Sequence, residues 1–224
     1  MDNYKRNSST TTHYIPALSF RRLTPFYDPL LKWGMREVKF KRRLIERAHI
    51  QPGERVLDLG CGTGTLTVML KQSVPDAHIT GVDADPEVLS LAKAKVEKAD
   101  LDITLDRGLA YDLPYLDNSF DVIVTSLVIH HLVSDDKVRA LREARRILRP
   151  DGRLEALDFG RPFSLLTRVQ GAAMKNLEEA ADNFSGRILP ILREAGFDSA
   201  FEGEHMTTIF GPVWFYQGVA RKGN

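Results

Sequence analysis

With 224 residues, 43% of them apolar, the chain is long enough to bury one sizeable α/β core and sits near the size at which a second domain would be expected. Basic and acidic side chains nearly balance at a formal charge of +1, so no global field draws the protein to nucleic acid or membrane, and any basic surface is local. The lone cysteine, Cys61, excludes an internal disulfide and fits a reducing cytosol, and no apolar run reaches membrane-spanning length.

Met1 to Thr12 is polar and Ser/Thr-rich, without the apolar core of a signal peptide, so residues 1–15 are expected to form a disordered arm and residues 16–224 a single cytoplasmic domain. From Pro16 to His49 the chain reads as helical entry segments broken at Pro25 and Pro29. Over Leu30 to Ala48 the period places Leu31, Met35, Val38, Ile45 and Ala48 near one face and Lys32, Arg36, Lys39, Arg42, Arg43 and Arg47 opposite. Such a basic amphipathic helix suits transient contact with an anionic membrane surface or RNA, or simply a solvated face on a core-packed helix, which is the commoner case.

After the Gln51-Pro52-Gly53 turn, Arg55 to Leu59 reads as a strand. Val56 to Gly64 is an apolar run ending in Asp-x-Gly-x-Gly-x-Gly, the pattern of a buried parallel strand turning through glycines into a helix, here Thr65 to Ser73. Glycines allow close backbone approach to a ligand and tolerate positive φ, which makes this a nucleotide-cradling turn. A second strand, His78 to Val82, ends in Asp83. The helix Glu87 to Lys98 follows, with Pro86 in its first turn. A third strand, Asp102 to Arg107, leads into Gly108 to Pro114. A fourth, Phe120 to Ser126, is apolar and β-branched, as a strand covered on both faces should be. Asp135 to Arg149 reads as a helix stopped by Pro150-Asp151-Gly152, and Arg153 to Phe159 as the fifth strand. From Gly160 to Ser185 the pattern is irregular and carries Phe163, Leu165, Leu166, Met174 and Leu177, which suits a short lid or substrate-shaping insert. A helix from Arg187 to Ala195 stops at Gly196, and Ser199 to Ile209 and Val213 to Arg221 are two closing strands joined at Gly211-Pro212. The alternation predicts a parallel sheet with ligands beyond the carboxyl ends of its strands.

The glycines fall at 60, 62 and 64 with threonine at 65, whereas the dinucleotide fingerprint is Gly-x-Gly-x-x-Gly, so the spacing counts against NAD. With an acid at the end of the next strand, the turn resembles that of the class I S-adenosylmethionine-dependent methyltransferases. The resemblance covers most of the chain, through Val56 to Gly64, Gly81-Val82-Asp83, Gly108 to Pro114, Asn118 to Val122 and Leu148 to Gly152. Tyr27-Asp28 and Asp158-Phe159-Gly160-Arg161-Pro162 make it most similar to the quinone (ubiquinone/menaquinone) and small-molecule C-methyltransferases. The resemblance implies an α/β, Rossmann-like, seven-stranded and mostly parallel sheet with helices on both faces, the last strand antiparallel, plus N-terminal helical segments.

It also implies S-adenosylmethionine as cofactor and assigns roles. Asp83 would accept from both ribose hydroxyls, its alternative being a helix N-cap that Asp85 fills better. Asp58 would face the methionine ammonium, stabilise the turn, or both. Gly60, Cys61, Gly62 and Gly64 give backbone approach, and Tyr27, Ala84, Gly108, Ser126 and Leu127 complete the cofactor set. Cys61 has no base beside it in the motif and reads as a small residue in a tight turn rather than a nucleophile. Many relatives carry Gly-Asp-Ala where this chain has Gly108-Leu109-Ala110, and leucine cannot accept from the adenine amine. Adenine would then rest on the Ala110 amide and on Ala84 and Leu109, or find a carboxylate in Asp106 or Asp112.

Methyl transfer is an in-line displacement that needs alignment above all, and a base where the acceptor loses a proton. His130 and then His131, after the fourth strand, are the candidates, against a purely packing or capping role. Thr125-Ser126-Leu127-Val128 does not match the Asn/Asp-Pro-Pro-aromatic motif of nucleobase amino methylases, and Cys61 is misplaced for cytosine C5 methylation. The acceptor is therefore expected to be a small, partly apolar molecule such as a quinone, phenol or lipid-like amine, not nucleic acid. A nicotinamide-dependent oxidoreductase and a non-catalytic domain of the same fold are the alternatives.

Overall fold

The computed structural model describes residues 37–174, 180–208 and 210–220. Tyr27, Asp28, Leu177 and the entry segments before Glu37 lie outside these residues. Helix α1 (Glu37–Ala48) precedes β1 (Arg55–Leu59), α2 (Thr65–Ser73), β2 (His78–Asp83), α3 (Pro86–Lys98), β3 (Thr104–Arg107) and β4 (Phe120–Ser126). A 3-10 turn (Ile129–His131), α4 (Ser134–Ile147), β5 (Leu148–Phe159), α5 (Leu165–Met174), α6 (Ala181–Phe184), α7 (Ile188–Glu194), β6 (Ser199–Thr208) and β7 (Gly211–Ala220) follow.

The strands form one sheet in the order β3-β2-β1-β4-β5-β7-β6, parallel throughout except that β7 runs antiparallel to both neighbours. Alternate strand residues serve two cores, as the pleat requires. Leu57, Ile123, Leu154 and Tyr216 pack under α4 and α7, while Val56, Val124, Leu157 and Phe215 pack under α1 and α2. With β1 and β4 paired at the centre and β2 reached by the first crossover, the carboxyl ends of β1, β2 and β4 come together on one edge.

Several boundaries differ from the sequence reading, each for a physical reason. Strand β5 begins at Leu148, because Pro150-Asp151-Gly152 forms an irregularity inside the β4–β5 pairing rather than a stop before it; Asp151 takes a left-handed φ of 65°. Gly211 and Pro212 pair with Thr208 and Thr207, so they belong to β7. Among the described residues after β5 the chain forms helices α5 and α6: Ser164 and Thr167 cap α5 reciprocally, with the Thr167 amide donating to Ser164 Oγ at 3.2 Å and the Ser164 amide to Thr167 Oγ1 at 2.8 Å.

Helix α1 is the largest correction. Val38, placed on the apolar face from the sequence, is 46% exposed; the buried residues are Glu37, Phe40, Leu44, Ile45 and Ala48. At about 100° per residue the inner face centres on Glu37, Leu44 and Ala48, and Val38 falls roughly a quarter-turn aside. The basic face is partly satisfied within the chain, since Arg43 bonds Glu204, and Arg47 lies 3.4 Å from Glu155 and over the Phe215 ring. Among the described residues no helix is long and apolar enough to cross a membrane.

Candidate active site

The glycines of the turn between β1 and α2 divide the work. A Cβ on Gly60 would come within 2.4 Å of Val128, and one on Gly64 within 3.0 Å of Ala92, so these two allow close packing of the chain on itself. Gly62, at φ 53°, has nothing within 4 Å of its missing Cβ. It is the position of the turn that opens onto unfilled space. The Gly60 and Cys61 amides both donate to the Val82 carbonyl, at 2.8 and 2.9 Å, and the Gly62 amide donates to Asp83 at 2.8 Å. These bonds fix the turn against the end of β2. The Cys61 thiol is buried, and burial pushes its pKa far up, which keeps it protonated.

Asp58 and Asp83 stand at the ends of β1 and β2. Asp58 is buried and accepts from Thr67 Oγ1 at 2.6 Å; burial pushes its carboxyl up to about 6, with the Thr67 bond and then the Lys41 charge opposing. Asp83 also rises by burial, and its two oxygens accept from the Gly62 and Asp85 amides. Asp85, not Asp83, caps α3, accepting from the Glu87 amide at 2.8 Å. After β3, Gly108 donates to the Asp83 carbonyl, Leu109 and Ala110 are half-buried, and Arg107 donates to the Ala84 carbonyl at 3.3 Å. Of the two substitute carboxylates, Asp106 accepts from Tyr115 Oη at 3.0 Å and Asp112 is exposed.

At the end of β4, Ser126 Oγ is buried with no hydrogen-bond partner, and the next residue, Leu127, takes a left-handed φ of 61°, its amide donating to the Leu157 carbonyl at 2.8 Å. A non-glycine residue held there costs on the order of 1–3 kcal/mol and is found chiefly at functional sites. The reversal drops Val128 onto Gly60, joining the end of β4 to the glycine turn.

It also presents His130, which is 5% exposed, to Asp158 at the end of β5: Nδ1 lies 2.8 Å from Oδ1. Asp158 further accepts from the Val128, Ile129 and Phe159 amides and from Asn183 Nδ2 on α6. Burial alone would raise this carboxyl, but the His130 interactions and the backbone bond outweigh it and hold it below the usual carboxylate range. A carboxylate on Nδ1 orients the ring and sets its tautomer. The His131 ring lies tilted against that of His130, with centroids 4.0 Å apart. Sequence reasoning gave Asp158 and Asn183 no role. The signal was present, since Asp158 interrupts an apolar strand end as Asp58 and Asp83 do.

The residues present fit an adenosylmethionine: open space over Gly62, carboxylates at two strand ends and an orphaned Ser126 hydroxyl beside them. Fold and site together define a class I S-adenosylmethionine-dependent methyltransferase. Residues 56–152 match the methyltransferase domain family. The chain is 32% identical over 204 residues to the demethylmenaquinone methyltransferase of Listeria monocytogenes, covering 80% of this chain and 85% of that one. It is 34% identical over 157 residues to the enzyme of that name from Thermus thermophilus, covering 67% and 70%. The fold is shared with an S-adenosylmethionine-dependent methyltransferase from Aquifex aeolicus, with a TM-score of 0.66 at 18% identity over 88% of this chain and 96% of that one. The chain belongs to the S-adenosylmethionine-dependent methyltransferases, in the group that resembles the quinone methyltransferases. It is an enzyme of that cofactor, not a nicotinamide oxidoreductase.

Proposed function

We propose that the chain methylates a small, partly apolar, quinone-like acceptor whose ring hydroxyl loses a proton to His130. The observation that carries this reading is the His130–Asp158 pair, built beside the glycine turn and held by backbone amides. The quinone class is supported by the names of the curated relatives and by the apolar residues Phe163 and Leu165 after β5.

Bound S-adenosylmethionine supplies an electrophilic methyl carbon on a sulfonium. Gly62 would admit it, Asp83 would accept from the ribose hydroxyls, Asp58 would face the ammonium, and Ala84, Leu109 and Ala110 would pack the adenine. His130 would take the acceptor's proton, Asp158 would stabilise the imidazolium, and His131 lies against the ring. Such a base is worth about 10² to 10⁴ in rate, and alignment of the acceptor about 7 to 11 kcal/mol. Helices α5 and α6 form the wall that shapes the acceptor site. The enzyme works in the cytoplasm, where the Cys61 thiol stays reduced, and the Lys39 and Arg42 side of α1 meets the membrane surface transiently.

Transfer of radiolabelled methyl from S-adenosylmethionine, screened across reduced quinones, phenols, amines and thiols with products identified by mass, tests the reading. Methylation of hydroquinones or phenols is expected; label found only on amines or thiols overturns the acceptor class.

A further inference from the structure

The inner face of α1 carries two charges where a core-packed helix should carry none. Glu37 is 5% exposed and Lys41, one turn on, has a side chain 13% exposed; the two are hydrogen-bonded. Lys41 is close enough for its charge to act on Asp58, itself buried and bound to Thr67. The cluster therefore holds two carboxylates and one ammonium away from water, and Glu37 Oε2 has no hydrogen-bond partner. A buried carboxylate oxygen left unpaired is costly, and buried charges are ordinarily paired. Among the described residues the cluster has one cation fewer than it has carboxylates.

We infer that Glu37 and Lys41 read the amino-acid end of the cofactor, Glu37 with Asp58 accepting from its ammonium and Lys41 pairing its carboxylate. The α-carbon of the methionine moiety bears both charges at once, so its ammonium gives the two carboxylates a donor, including the unpaired Glu37 oxygen, and its carboxylate gives Lys41 a second acceptor. A sugar, a phosphate or an apolar ligand would satisfy only part of the cluster. The assignment rests on the adenosylmethionine reading of the Val56–Gly64 turn and extends that site to a helix outside the glycine turn. Phe40 and Leu44, buried on the same face, seat α1 against the sheet and so fix where the charges stand.

Direct titration of the full chain with three ligands tests this: S-adenosylhomocysteine, its decarboxylated analogue and 5′-methylthioadenosine, which lacks the amino-acid end. Lys41→Met should weaken S-adenosylhomocysteine at least about tenfold, the scale of a lost charge-assisted bond, and leave the other two ligands at wild-type affinity. Glu37→Gln, which keeps the side-chain shape, should weaken S-adenosylhomocysteine and the decarboxylated analogue and spare methylthioadenosine. Parallel loss of all three ligands would reduce the pair to a structural role, and unchanged S-adenosylhomocysteine affinity in both variants would overturn the assignment. A wild-type chain that binds none of the three ligands would instead refute the cofactor site itself.

Discussion

Asp158 holds His130 by the ring and by the chain. One carboxylate oxygen meets Nδ1 at 2.8 Å, and the other accepts from the amides of Val128 and Ile129, the two residues that lead into the histidine. Ring orientation and loop position thus depend on the same buried group.

His130→Ala should lower turnover by about 10² to 10⁴ while cofactor affinity changes little, because the loss falls on proton transfer. Asp158→Asn should produce a drop of similar size and also lower the melting temperature, since an amide nitrogen placed toward backbone N–H groups cannot accept from them. Turnover and binding measured on each variant decide it; His130→Ala with full turnover would remove it as the base.

Asp83→Ala should weaken S-adenosylhomocysteine binding at least about tenfold, through the lost ribose contact and a loosened Gly62 amide. Titration calorimetry checks this, and near-wild-type affinity would refute the ribose assignment.

Gly60→Ala should destabilise the fold, because the added methyl meets Val128 at 2.4 Å in a left-handed backbone. Val128→Ala in the same chain should recover part of the lost melting temperature, while the conformational cost of about 1–2 kcal/mol persists. Failure of the second change to restore any stability would mean that strain alone governs the position.

Glu155 lies in the sheet between Arg47 and Gln217, and burial raises its carboxyl from 4.5 to about 7, with Arg47 opposing. The folded chain therefore keeps a proton that the unfolded chain has released, so this group's contribution to stability declines as pH rises from about 4.5 through 7. Melting curves at pH 5.5 and 8 should show a fall, on the order of 2 kcal/mol, that Glu155→Gln flattens. Asp58 sets a second pH effect, on binding: with its carboxyl at about 6, affinity for S-adenosylhomocysteine should fall as pH drops below that value and the acid becomes neutral.

Where one physical cause dominated, the sequence was sufficient. Strand β4 spans Phe120 to Ser126, the apolar stretch centred on its β-branched run, and the capping role of Asp85 follows from Pro86 opening a helix. In helix α1 the periodicity places Ile45 and Ala48 correctly but puts Val38 inside, because the inner face centres on Glu37 and Leu44, and a charged residue there carries no apolar signal to set the phase. Pro150-Asp151-Gly152 reads locally as a stop, but pairing of Leu148 with Phe120 continues the strand across it. The His130–Asp158 contact spans 28 residues and depends on the left-handed turn at Leu127, which no propensity announces.

The placement of β7 bears on how the protein is made. It joins β5 to β6 but follows both in the chain, so during synthesis β5 waits with an open edge and β6 has no partner to pair with. The Trp214 to Tyr216 segment that both cores require arrives only then. A nascent chain halted before Gly211 should be a client for chaperones rather than a smaller enzyme, and release of the hairpin from the ribosome is the event that commits the whole sheet.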